Sequence, residues 1–107
     1  MSYVSNVVKQ NFKERYNKCL EAIKNSEIDY DAVGIFGSYA REEYTARSDI
    51  DFCIVVKEKP ERWKMGALRE DLDLFNADVV FVTPQYFKED TSLFAEQLRR
   101  DFKEVVI

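Results

Sequence analysis

Three carboxylates have the positions that metal-dependent chemistry requires. Asp49 and Asp51 flank Ile50 at the start of an apolar, β-forming segment, and Asp78 opens a second such segment. Residues i and i+2 of a strand point to the same face, so Asp49 and Asp51 would repel each other unless a cation lies between them. Ligand sets made only of oxygen select Mg²⁺ or Mn²⁺. If the two strands are neighbours, the three carboxylates could hold two ions about 3.5–4 Å apart, as in phosphoryl and nucleotidyl transfer.

An Asp-x-Asp pair is a weak signal by itself, because two polar residues can simply cap the end of a strand. The chain contains a second pair, Asp71 and Asp73, within a helical pattern. Residues i and i+2 of a helix diverge around its axis, so we expect these two side chains to be solvent-exposed rather than to share a ligand.

The Gly37-Ser38 step, separated from Asp49 by ten residues, makes the first pair more specific. It follows a predicted strand and precedes a predicted helical turn, where backbone N–H groups and a hydroxyl can meet an anion. Glycine lets a phosphate approach the main chain, and Ser38 can donate to it; the alternative for Ser38 is a helix N-cap. Four specified residues at this spacing occur by chance in roughly one chain per thousand of this length.

The composition fits one folded domain, residues 1–107, and excludes several kinds of site. There is no histidine, which excludes Ser-His-Asp triads and imidazole-ligated zinc. Cys19 and Cys53 are expected to be free thiols in packed positions. The net charge of −4 argues against strong nucleic-acid binding, which depends on neutralising phosphates. Without a long apolar run or a signal-peptide core, we expect a cytoplasmic protein that does not contact membranes.

Hydrophobic periodicity predicts an α+β (α/β) domain in the order α-β-β-α-β-α-β. Thr83 and Pro84 have the residue types preferred at the N-cap and first position of a short helix. The remaining elements are predicted as follows: helices at residues 5–25, 61–75 and 91–102, strands at residues 32–36, 50–56 and 78–82, a helical turn at residues 39–43, and a final edge strand at residues 105–107.

The stretches 35–41 and 48–52 resemble the signature of the DNA polymerase β-type nucleotidyltransferase superfamily, and in particular its minimal nucleotidyltransferases. The resemblance covers nearly the whole chain, and it implies the nucleotidyltransferase fold, a small mixed β-sheet flanked by helices. Two positions depart from the pattern. Members often have arginine after Gly-Ser and glycine after the Ala-Arg pair, where this chain has Tyr39 and Glu42.

The resemblance also implies roles for individual residues. Asp49 and Asp51 would ligate two Mg²⁺ ions, with Mn²⁺ as the alternative. Asp78 would complete one metal site and help to deprotonate the acceptor hydroxyl. Gly37 and Ser38 would hold the triphosphate of ATP. Arg41 and Arg47 would be further phosphate contacts, and the alternative for each is a solvated charge.

Minimal nucleotidyltransferases often act with an all-helical HEPN partner, which is the toxin of a toxin–antitoxin pair. The resemblance therefore implies an antitoxin that transfers AMP from ATP to a partner hydroxyl, a tyrosine in studied members. Two alternatives stay open: a non-catalytic antitoxin that masks its partner by binding, and a nucleotidyltransferase that acts on a small hydroxylated molecule. A homo-oligomer also stays open.

Overall fold

The computed structural model describes residues 5–107, which form nine helices and strands. Residues 1–4, which the predicted single domain includes, lie outside the described residues. In chain order the elements are α1 (Asn6–Asn25), β1 (Ala32–Phe36), α2 (Gly37–Ala40), β2 (Ile50–Val55), α3 (Arg62–Asp73), β3 (Ala77–Val82), α4 (Pro84–Glu89), α5 (Leu93–Asp101) and β4 (Lys103–Val105).

The four strands in the described part of the chain form one mixed sheet in the order β3-β2-β1-β4. β1 is antiparallel to β2 and to β4, whereas β2 and β3 are parallel. A parallel pair needs a crossover connection, and α3 provides it. Apart from the half-buried Asp51, every residue of β2 is buried, as expected for a central strand that is covered on both faces.

Helices cover both faces of this sheet. Along β2, successive side chains point to opposite faces. Phe52 and Ile54 pack with residues of α1 and α3, including Phe12 and Leu68, in the larger apolar cluster. The smaller cluster lies on the opposite face, where α4 and α5 pack; its buried members are Phe36, Cys53, Val55, Val82 and Leu98. The mixed sheet with flanking helices confirms the predicted fold class.

Several local predictions are also confirmed. The Thr83 side chain accepts a hydrogen bond from the backbone N–H of Tyr86, and Pro84 is the first residue of α4. Cys19 and Cys53 are buried free thiols. Burial raises the pKa of the Cys53 thiol to about 12, so it packs as an apolar residue.

Two predicted ranges are wrong. The helical turn comprises Gly37–Ala40 rather than residues 39–43, because Gly37 adopts a φ of +76° that turns the chain directly from β1 into α2. The final edge strand is Lys103–Val105 rather than residues 105–107, because residues 103–105 pair with Val33, Gly34 and Ile35 of β1. The apolar residues Val106 and Ile107 are exposed beyond it.

None of the helices formed by residues 5–107 is long and apolar enough to cross a membrane.

Two glycines provide opposite tests of this packing. We expect Gly34→Ala to destabilise the protein, because an added Cβ would overlap the Phe102 ring, and overpacking typically costs about 1–3 kcal/mol. Gly66→Ala on α3 should stabilise the protein by about 0.5–1 kcal/mol, since an added Cβ there meets nothing within 4 Å. Urea unfolding followed by circular dichroism measures both. A Gly34→Ala protein as stable as the wild type would contradict the packing of Phe102 on β1.

Candidate active site

The three carboxylates singled out from the sequence lie at one edge of the sheet. Asp51 of β2 is the register partner of Asp78 on β3, and Asp49 immediately precedes β2. Register partners on parallel strands, and residues i and i+2 of one strand, point to the same face. The prediction that the third strand lies beside the second, with Asp78 at the same edge, is confirmed.

The Gly37-Ser38 turn lies directly against this edge. Phe36, the last residue of β1, is the register partner of Asp51, so the chain enters α2 beside that carboxylate. A Cβ on residue 37 would overlap the Asp51 side chain, and the positive φ also favours glycine. The N-cap position of α2 belongs to Phe36, so the alternative interpretation of Ser38 as a helix N-cap is wrong.

Asp51 has the most perturbed acidity at this edge. Burial first, and then the negative charges of Asp78 and Asp49, raise its pKa to about 6, and the positive charge of Arg41 acts in the opposite direction. The two neighbours therefore destabilise the ionised form of Asp51. This edge has an excess of negative charge that a cation would relieve.

The donor set fits a hard divalent cation that also binds phosphates. Within residues 5–107, no group of three or more acidic or cysteine side chains is arranged to hold a metal ion. Mg²⁺, however, is usually bound through one or two carboxylates, with substrate phosphates and water as the other ligands. The adjacent Asp49 and Asp51 can supply those two carboxylates. The ligand roles of Asp49, Asp51 and Asp78 stay predictions.

Arg41, predicted as a phosphate contact, follows α2 and forms an ion-pair network. Its Nη1 lies 2.7 Å from Oδ2 of Asp101, and its Nε lies 3.2 Å from Oε2 of Glu43. The second oxygen of Asp101, Oδ1, lies 3.2 Å from Nε of Arg100. Asp101 thus holds Arg41 at a position from which its charge still lowers the pKa of Asp51.

Arg47, the other predicted phosphate contact, lies on the exposed loop between α2 and β2. Its backbone N–H donates to Oγ1 of Thr45, and its side chain is exposed. The phosphate contacts of Arg41 and Arg47 stay predictions.

Asp71 and Asp73 are exposed on α3, as predicted.

Two residues that support the site were not predicted from the sequence. Asp101 is the one charged side chain that is buried in the described part of the chain, but in the sequence it looks like any polar residue of an amphipathic helix. Arg15 lies within α1, and its guanidinium donates to backbone carbonyls next to both carboxylate-bearing strands. In the sequence, Arg15 lies beside the apolar stripe of α1, which places it near the core. That position alone does not identify the backbone carbonyls to which it donates.

A sequence model of the nucleotidyltransferase domain matches residues 16–106, a range that includes the Gly-Ser turn and the three carboxylates. This chain belongs to the nucleotidyltransferase domain family. A protein of Methanocaldococcus jannaschii named "putative protein adenylyltransferase MJ1547" is 31% identical over 67 residues, which make up 60% of this chain and 55% of that protein. The chain therefore spans about half the length of this relative.

Solved structures share the fold. A chain of a toxin–antitoxin complex with AMP-PNP has a TM-score of 0.60 at 19% identity, over 82% of this chain and 69% of its own. A "putative nucleotidyltransferase" from Sulfolobus solfataricus has a TM-score of 0.58 at 20% identity, over 97% and 89%. A complex of tri-AMPylated Shewanella oneidensis HEPN toxin with MNT antitoxin gives 0.56 at 17% identity, over 86% and 69%. The predicted nucleotidyltransferase fold is confirmed.

We expect Asp51→Asn to stabilise the metal-free protein at pH 8 and to leave its stability almost unchanged near pH 4. The folded pKa of about 6 lies above the ordinary 3.8, so the folded state binds the proton more tightly and loses stability as pH rises between these values. Because the Asp51 side chain is partly exposed, the free energy of unfolding of Asp51→Asn above pH 6 should exceed that of the wild type by only about 1 kcal/mol. This difference corresponds to ~4–8 °C in Tm.

Differential scanning calorimetry in EDTA between pH 4 and pH 8 measures this effect. Asp71→Asn, an equivalent change on the exposed surface of α3, is the matched control and should not change Tm with this pH dependence. A gain for Asp51→Asn that is the same at both pH values would contradict the electrostatic explanation.

Proposed function

We propose that this chain is the antitoxin of a HEPN-type toxin–antitoxin pair and that it transfers AMP from ATP to a hydroxyl of its helical partner, with Mg²⁺ as cofactor. One observation carries this proposal: the turn at Gly37 packs against Asp51 at the edge where Asp78 also lies. A phosphate-binding turn and metal-binding carboxylates could therefore act on the same triphosphate.

The comparisons support the choice of a protein as acceptor. The relative from Methanocaldococcus jannaschii bears the name of a protein adenylyltransferase, and two of the structural neighbours are toxin–antitoxin complexes, one of them with an AMPylated toxin. The net charge of −4 also disfavours a nucleic-acid acceptor. Cys19 and Cys53 are free thiols, as is usual for proteins in the reducing cytoplasm, where ATP is also present. We propose that the reaction takes place there.

The nucleotide would bind with its triphosphate between the Gly37 turn and the carboxylate edge. The missing Cβ of Gly37 lets the Asp51 carboxylate lie directly against the turn. The main chain of the turn and the hydroxyl of Ser38 would donate to phosphate oxygens beside it. Asp49 and Asp51 would hold Mg²⁺, which would neutralise phosphate charge and polarise the α-phosphoryl group. Arg41, kept in place by Asp101, adds positive charge at this edge.

The acceptor would approach from the side of β3. Asp78 is exposed and lines a surface cavity of about 300 Å³ with Arg69 and Asp73, so a hydroxyl on a second protein can reach it. The acceptor oxygen attacks the α-phosphorus, its bond to phosphorus forms, and the bond from the α-phosphorus to the bridging oxygen breaks with loss of pyrophosphate. The hydroxyl proton passes to the Asp78 carboxylate, since the chain has no histidine to accept it.

ATP binding should require both Mg²⁺ and the Gly-Ser turn. Without the cation, the triphosphate meets the charges of Asp49, Asp51 and Asp78 and is repelled. Ser38→Ala removes one hydrogen bond to a charged group and should weaken ATP binding about 10- to 100-fold. Titration calorimetry with Mg²⁺ and with EDTA measures both effects. Equal affinities in the two buffers would contradict the proposed binding mode.

AMP transfer should depend on Asp49 and not on Asp71. Asn is nearly isosteric with Asp but is a poor metal ligand, so Asp49→Asn should lower transfer by about a hundredfold or more while leaving partner binding intact. Asp71→Asn is the matched control, since Asp71 also belongs to an Asp-x-Asp pair but lies exposed on α3. The measurement is the intact mass of the protein encoded by the neighbouring gene, after co-expression with each variant.

The other outcomes of this experiment separate the competing functions. A partner that stays unmodified by the wild type, and is still neutralised by the Asp49→Asn protein, would identify a masking antitoxin. Pyrophosphate release that needs a small hydroxylated compound, and no partner, would identify a small-molecule nucleotidyltransferase.

A further inference from the structure

Arg15 connects α1 to three backbone carbonyls that are distant in sequence. Its Nε donates to the carbonyl of Phe75 at 2.8 Å, and its Nη2 donates to the carbonyl of Asn76 at 3.0 Å and to that of Ser48 at 3.4 Å. A guanidinium presents its donors in a rigid planar fork, so one side chain can satisfy several acceptors at once.

These carbonyls lie where the two carboxylate-bearing strands begin. Ser48 immediately precedes Asp49, and Asn76 lies two residues before Asp78. The Ile50 backbone N–H also donates to the Asn76 carbonyl, at 3.2 Å. The same carbonyl therefore accepts from Arg15 and from the first residue of β2. Arg15 thus spans the starts of both strands.

We propose that Arg15 is a positioning residue, which ties the start of β2 to the start of β3 and so sets the spacing between the Asp49–Asp51 pair and Asp78. The inference concerns the same site as the proposed function and rests on it for its catalytic consequence.

The turn that Arg15 holds is exposed at Leu74 and Asn76, and Asn76 has a φ of +53°, which is uncommon for a residue other than glycine. The hydrogen bonds from Arg15 to the Phe75 and Asn76 carbonyls add to the backbone hydrogen bonds within the turn that hold this conformation.

A second contact links Arg15 to the phosphate-binding turn. Its guanidinium carbon lies 4.3 Å from the centroid of the Phe12 ring, and the Phe12 ring stacks on that of Tyr39, with centroids 5.4 Å apart. Tyr39 follows Ser38 in α2. Arg15 and its neighbour Phe12 thus contact all three segments that supply the site. Lysine at position 15 would retain the charge but lose the fork.

Amide hydrogen exchange tests whether Arg15 joins the two strand starts. In Arg15→Gln, the Ile50 amide should exchange about tenfold faster or more, because its acceptor carbonyl on Asn76 is no longer held. The Val56 amide, which donates to the Val82 carbonyl at 2.8 Å at the other end of the same strand pair, is the internal control and should be unchanged. Equal Ile50 exchange in wild type and variant, or equal acceleration at Ile50 and Val56, would overturn the proposal.

Kinetics test the catalytic consequence. Arg15→Gln should lower kcat for AMP transfer about tenfold or more with little change in the KM for ATP, because Asp78 shifts relative to the Asp49–Asp51 pair. The Gly37 turn keeps the pairing of Phe36 with Asp51 and the stacking of Tyr39 on Phe12, neither of which needs the Arg15 fork. Arg99→Gln is the matched control: Arg99 is also half-buried on a helix and donates to a backbone carbonyl, that of Phe87 at 2.9 Å, away from the site. It should retain the wild-type kcat.

Arg15→Lys protects the test against a variant that fails to fold. The Arg15→Lys protein should fold, and its Ile50 amide should exchange as fast as in Arg15→Gln. Its kcat should lie between those of Arg15→Gln and the wild type. A kcat equal to that of the wild type would mean that charge alone matters and would overturn the proposal. An unchanged kcat with accelerated exchange would overturn it as well. If the wild type transfers no AMP, the proposed function fails, and the exchange comparison alone then decides whether Arg15 ties the two strand starts.

Discussion

Repulsion among like charges is the constraint on which the rest of this structure depends. Burial, followed by the negative charges of Asp78 and Asp49, raises the pKa of Asp51 to about 6. Holding three carboxylates together costs free energy unless a cation is present, so the surrounding structure must supply the stability that the site itself does not. The site therefore has to rest on the best-packed part of the domain.

The central strand meets that requirement. β2 carries Asp51 near its start, and from Phe52 to Val55 every residue is buried in one of the two apolar clusters. Burial of aliphatic and aromatic surface on both faces makes displacement of this strand costly, at roughly 1.5–3 kcal/mol for each large side chain. Asp51 is therefore fixed by the packing of its neighbours along the strand.

The positive charges near the site are held by contacts of a different kind. Arg41 pairs with the buried Asp101 at the end of α5, and Arg15 is held by backbone carbonyls and by the Phe12 ring. Neither arginine is left to pair closely with the acidic edge, so the carboxylates remain open to a cation and to nucleotide phosphates. Tyr39, which stands where family members often have arginine, packs its ring against Phe12 and Tyr44.

The sequence by itself determined the chemistry and most of the elements, because both depend on residues that are close along the chain. The spacing of Gly37, Ser38, Asp49 and Asp51 identified the family, and periodicity located the long helices and the three main strands. The Thr83 cap was also predictable, since it bonds a backbone N–H only three residues away.

The tertiary structure decided whatever depends on segments that are distant along the chain. α2 begins at Gly37 because the positive φ of this residue turns the chain beside Asp51, and the limits of β4 follow from pairing with β1. Neither the approach of Asp51 nor the pairing with β1 has a local signal in the sequence. Arg41 meets Asp101 across 60 residues, and Arg15 meets Asn76 across 61. The raised pKa of Asp51 likewise exists only once folding has buried it beside Asp78, because burial and charge proximity are properties of the packed chain and not of its spacing.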